Sequence, residues 1–143
     1  MTADVFAFTA AGEETGRRIA AWGGGDWRFF RVQGGLGALV AESVVAKDAL
    51  IFVGSAGIAV RAIAPFVRDK LLDPAVLVLD EKARFVIPML GGHVGGANAL
   101  ARSLAAFLGA EAVLTTATDV NGLFAVDEWA AEQGCALSSR EEA

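Results

Sequence analysis

Leu50-Ile51-Phe52-Val53 runs without a break into Gly54-Ser55-Ala56-Gly57 and then into a helical segment that Pro65 must end or kink. A short, wholly apolar run that ends in glycines and passes into a helix is the opening of a βα unit whose strand is buried on both faces. The same alternation extends in both directions. Upstream, Val5-Phe6-Ala7-Phe8 is a short apolar run, followed by a turn at Ala11-Gly12 and a helical stretch to about Trp22 that Gly23-Gly24-Gly25 can stop. Trp27 to Val32 is aromatic and β-branched, hence strand-like, and Leu36, Leu39, Val40 and Val44 fall at helical spacing. Downstream, Ala75 to Leu79 reads as a buried strand, Asp80 to Ala83 as a turn and Phe85 to Ile87 as its return, a β-hairpin near residues 76–87. A helix with Leu100, Leu104, Phe107 and Leu108 on one stripe follows, capped by Gly109, then a strand at Val113 to Thr116 and a short helix around 127–133. The expected fold is a three-layer α/β domain, mostly parallel sheet with helices on both faces, Rossmann-like or flavodoxin-like.

Composition agrees with that architecture and removes several classes of function. A chain of 143 residues is one domain by length, and hydrophobic residues make up 55% of it before its 17 glycines are counted. An ordinary globular chain reaches about 45–50% with glycine included, so most elements must be covered on both sides. The longest stretch without Asp, Glu, Lys or Arg, Phe85 to Ala101, carries Pro88, His93, Asn98 and four glycines and falls short of the ~20 apolar residues of a membrane span. Seventeen acidic residues against 12 basic ones, a net charge of −5, argue against a general binder of nucleic acid. The single cysteine, Cys135, can form no internal disulfide, which suits a reducing, cytoplasmic setting.

In open α/β sheets ligands bind beyond the carboxyl ends of the strands. Three segments hold that position in the sequence: Gly54 to Gly57, Gly91 to Asn98 and Thr116 to Gly122, expected to form one mouth lined with backbone N–H donors. Common nucleotide signatures fail there. Gly35 and Gly37 begin a dinucleotide fingerprint that Val40 breaks, and Gly91 and Gly96 frame a phosphate loop in which Ala97 replaces the required Lys. His93, the only imidazole, reads either as a loop histidine that organises its turn or as a general base or ligand to a substrate metal. Arg61 reads as an exposed helical cation or as a clamp on a carboxylate, and Asn98 as a helix cap or a ligand contact. Asp119 and Asn121 are turn formers first and catalytic or binding groups second, while Ser55, Thr116 and Thr118 either cap helices or donate to a ligand. Trp22 and Trp27 are expected to pack in the core rather than to form a partner surface.

The order and spacing of Leu50-Ile51-Phe52-Val53-Gly54-Ser55-Ala56-Gly57-Ile58-Ala59-Val60-Arg61, Asp73-Pro74-Ala75-Val76, Gly92-His93-Val94-Gly95-Gly96-Ala97-Asn98 and Thr116-Ala117-Thr118-Asp119-Val120-Asn121-Gly122 resemble the N-terminal region of the CbiG family, the cobalt-precorrin-5A hydrolases of anaerobic cobalamin biosynthesis. The resemblance implies an enzyme that opens the δ-lactone of cobalt-precorrin-5A with water and releases acetaldehyde, leaving cobalt-precorrin-5B. It implies His93 and Asp119 as catalytic groups, with Gly54, Ser55, Gly57, Arg61, Gly92, Gly95, Gly96, Asn98, Thr116, Thr118 and Asn121 around the corrinoid. No resident metal or cofactor is implied, because the cobalt belongs to the substrate. It further divides the chain into an α/β domain over 1–118 and the start of the family's middle segment over 119–143. The expected partner is therefore the C-terminal domain, in the same protein or a split one. A second expectation is a corrinoid-binding or docking module whose chemistry resides in that missing part.

Overall fold

The computed structural model describes residues 1–91 and 96–117. Among them six strands form one sheet in the order β2-β1-β3-β4-β5-β6. The strands are β1 (Ala3–Ala7), β2 (Trp27–Arg31), β3 (Ala49–Val53), β4 (Ala75–Leu79), β5 (Phe85–Leu90) and β6 (Glu111–Ala112). The helices are α1 (Ala10–Gly23), α2 (Leu36–Ala46), α3 (Ala56–Ile63) and α4 (Ala97–Leu108), with a single 3₁₀ turn at Ala64–Phe66 where Pro65 stops α3.

Strand periodicity divides the core in two. Val5, Ile51, Val53, Leu77, Leu79 and Val86 point to one face, where Ile19 of α1 and Leu100, Ala101 and Leu104 of α4 cover them. Phe6, Leu50, Phe52, Val76 and Val78 point to the other, beneath Val40 and Val44 of α2 and Ala59 and Ile63 of α3. Because β1, β2 and β3 pair in parallel with Phe6 level with both Phe30 and Phe52, the three rings stack across the sheet at 5.6 and 5.2 Å. The three-layer arrangement read from the sequence is the one observed.

The ends of the elements follow local chemistry. Thr9 caps α1 by accepting the Gly12 N–H at 3.1 Å, and Gly24 (φ +102°) and Gly109 (φ +69°) end α1 and α4 in conformations that glycine tolerates. Helix α1 begins at Ala10, so Gly12 lies inside it rather than in a preceding turn. Strand β6 ends at Ala112, earlier than the sequence pattern placed it, although the Val113 N–H still reaches Val86 O at 2.9 Å. Trp27 is buried, its indole N–H donating to Met1 O at 3.0 Å, and it meets Trp22 edge to face.

The hairpin over β4 and β5 is present and controls the topology. Asp80 holds its turn by accepting the backbone N–H groups of Lys82, Arg84 and Phe85. Burial would raise the Asp80 carboxyl, but these three donors, helped by Arg84, hold it below the usual carboxylate range. Strand β5 therefore runs antiparallel to β4, and α4 carries the chain over to β6, which pairs parallel to β5.

Candidate functional site

Reversal of β5 puts the glycine turns at two opposite edges of the sheet. Strands β1, β3 and β4 end at one edge; β5 and β6 end at the other. The glycine turn after β3 and the glycine turn after β5 are thus separated by a strand's length, five residues at about 3.3 Å each, or about 16 Å. The single mouth expected from the sequence does not form.

At the first edge, Gly54 and Ser55 border an open cleft of about 480 Å³ completed by Asp80, Glu81, Lys82 and Arg84. Arg61 lies back over the preceding turn of its own helix: a Cβ on Gly57 would lie 3.3 Å from an Arg61 guanidinium nitrogen. The acidic groups here are engaged in structure. Glu81 accepts the Thr9 hydroxyl, and Arg84 lies 3.5 Å from Asp80. Gly54, Ser55, Gly57 and Arg61 thus form a group of their own, apart from the other residues expected beside them.

At the second edge, Gly91 (φ +72°) ends β5 and Gly96 (φ +81°) begins α4, with the Ala97 N–H donating to Gly91 O at 2.9 Å. A Cβ on Gly91 would meet Ala75 Cα at 3.1 Å and Pro74 O at 3.2 Å, so the backbones of two loops touch there and leave no room for a side chain. Asn98, expected as a cap or surface group, is only 1% exposed, and its Nδ2 donates to Thr116 Oγ1 at 3.1 Å. The structure therefore brings together Gly96, Asn98 and Thr116. Gly92, His93, Gly95, Thr118, Asp119, Asn121 and the expected helix at 127–133 lie outside the described residues.

Sequence reading missed what stands beside this second group. A cavity of about 550 Å³ opens at the amino ends of β1, β3 and β4, lined by Met1, Lys47, Arg68, Leu72 and Pro74 among others. Its carboxylates turn inward. Asp48 accepts the Thr2 N–H at 2.8 Å, and Asp73 accepts the Arg68 N–H at 3.0 Å and the Asp69 N–H at 3.2 Å. Single basic residues in linkers carry no pattern, and only Asp73-Pro74 belonged to a quoted motif. Among the described residues no group of three or more His, Cys, Asp or Glu is placed to hold a metal ion, and no helix is long and apolar enough to cross a membrane.

Comparisons with known proteins bear on both edges. The family model described as Cobalamin synthesis G N-terminal matches residues 38–119, more than half the chain, and takes in the turns after β3 and β5. The chain is 49% identical over 110 residues, 77% of its length, to the cobalt-precorrin-5A hydrolase of Salmonella typhimurium. It is 48% identical over 92 residues, 64% of its length, to the protein of the same name from Priestia megaterium. It spans only 31% and 25% of those two relatives. A crystal structure of a cobalamin biosynthesis protein G homolog from Sulfolobus solfataricus superposes with a TM-score of 0.67 over 90% of this chain and 39% of that one; at 23% identity it bears on the fold alone. By its match across residues 38–119, the chain belongs to the cobalamin synthesis G N-terminal family.

Proposed function

We propose that this chain supplies the N-terminal part of a cobalt-precorrin-5A hydrolase, and that its contribution to the site lies at the edge where β5 and β6 end. The observation that carries the reading is the 49% identity over 110 residues to the Salmonella protein of that name. In the proposed reaction water adds to the lactone carbonyl and the ring C–O bond breaks, leaving a carboxylate and an alcohol. The alcohol then loses its proton as the adjacent C–C bond breaks, acetaldehyde departs, and the electron pair stays on the macrocycle. His93 is proposed as the base that takes the proton of the attacking water, with Asp119 as a second acid–base group. Backbone N–H groups of Gly92, Gly95 and Gly96 are proposed to face the developing oxyanion. Asn98, Thr116, Thr118 and Asn121 would border the substrate, whose cobalt is the only metal the proposal requires. Residues 1–118 are proposed as the α/β domain and 119–143 as the start of the next segment.

A second reading makes this part a corrinoid-binding module that docks on the remainder of a longer protein, supported by the 31% of the Salmonella relative that it spans. One experiment separates the two: cobalt-precorrin-5A is supplied to the chain alone and to the chain with the remaining part of a relative. Acetaldehyde from the chain alone favours catalysis here, and acetaldehyde only after supplementation favours the docking module. No acetaldehyde in either case rejects the assignment. His93→Ala is expected to lower acetaldehyde release by at least about a hundredfold while corrinoid binding persists; unchanged release would remove His93 from the chemistry.

A further inference from the structure

The cavity at the amino ends of β1, β3 and β4 shares its wall with the turn after β5. Pro74, which lines it, is the residue whose carbonyl approaches Gly91, and a Cβ on Gly96 would lie 3.8 Å from Met1 Cε, another lining atom. Around it stand three of the most exposed large apolar side chains among the described residues, Val45 at 77%, Leu72 at 64% and Met1 at 59%. Exposed apolar side chains grouped around one opening offer a surface on which a flat ligand can rest.

Among the described residues Lys47 and Arg68 form no ion pair, while Asp48 and Asp73 accept hydrogen bonds from Thr2 and from backbone N–H groups. Asp4, whose charge Lys47 also feels, is already held by Arg28 and Ser43. The lining is mixed: the exposed apolar side chains of Met1, Val45 and Leu72 stand beside two cations outside any ion pair and two carboxylates held by hydrogen bonds. A flat apolar ring fringed with carboxylates is the complementary shape. We propose that Lys47 and Arg68 anchor peripheral carboxylates of the corrinoid while its ring face lies over Met1, Val45 and Leu72. This rests on the functional reading above and adds the residues that would recognise the acid fringe.

The test compares binding of two soluble corrins by the chain: cobyrinic acid, whose rim carries carboxylates, and cobinamide, whose rim carries amides. In the double variant Lys47→Gln/Arg68→Gln, cobyrinic acid is expected to bind at least about tenfold more weakly, a loss of about 1.4 kcal/mol. Cobinamide affinity should stay within about twofold, and Lys47→Arg/Arg68→Lys should keep cobyrinic acid binding. Lys82→Gln, at the opposite edge, should change neither. Equal loss of both ligands, or no loss of either, overturns the anchoring while leaving the hydrolase reading intact. Failure of the unaltered chain to bind any corrin counts against that reading itself, and this inference falls with it.

Discussion

Asp4 illustrates how a single buried charge is made tolerable. It sits fully buried in β1, and burial alone would push its carboxyl upward. Arg28 answers with two hydrogen bonds at 2.9 and 2.8 Å and Ser43 with a third at 2.5 Å, so its pKa ends below the ordinary carboxylate range. A folded-state pKa below the unfolded value of about 3.9 contributes stability that is present above that pH and is lost as pH falls through the folded value. Arg28→Ala strands the carboxylate. Half of the Arg28 side chain is in water, so we expect a loss of about 1–3 kcal/mol at pH 7 rather than the larger cost of breaking a fully buried pair. The difference from the unaltered chain should narrow as pH falls below about 4 toward the lowered folded-state value of Asp4, where its carboxylate takes up a proton. Urea midpoints between pH 3 and 7 check this, and a gap of constant size would show that Arg28 acts through packing instead.

Between elements, absent side chains set how closely α1 approaches the sheet. A Cβ on Gly16 would fall 2.4 Å from a ring carbon of Phe29 in β2, and one on Gly23 would fall 1.8 Å from the Trp27 indole. Trp27 has little room to yield, since it donates to Met1 O and meets Trp22, which itself stacks on Phe107 of α4 at 5.5 Å. Gly23→Ala should therefore cost about 2 kcal/mol and lower Tm by roughly 4–8 °C. Gly25→Ala, with nothing within 4 Å of the added carbon, should stay within about 0.5 kcal/mol. Equal melting of both variants would mean that the indole repacks freely. At this scale the sequence was informative: β-branched runs marked the buried strands, and glycines marked the helix ends. It was silent on Asp4, because a lone Asp in an apolar strand announces no partner, and on Asn98, because a first-turn Asn looks the same whether it caps a helix or reaches another strand.

For the whole molecule, one hairpin decides which loops can share a ligand. The return after Leu79 was legible from the turn residues at 80–83, yet its consequence depends on strand direction, which no local pattern carries. Since β5 runs opposite to β4, the Gly91 turn lies against Pro74 and Ala75, at the start of β4, and the Gly54 turn lies beyond its far end. A rigid macrocycle cannot touch both edges with the sheet between them. Hydrogen exchange on adding cobyrinic acid should therefore be one-sided. Amides of residues 44–48, 68–75 and 97–100 are expected to slow by about tenfold or more under saturating ligand, and those of 54–57 to keep their rates. Protection at 54–57 alone would move the corrinoid to the switch point between β1 and β3, where open α/β sheets ordinarily bind, and would return Ser55 and Arg61 to the site in place of Lys47 and Arg68.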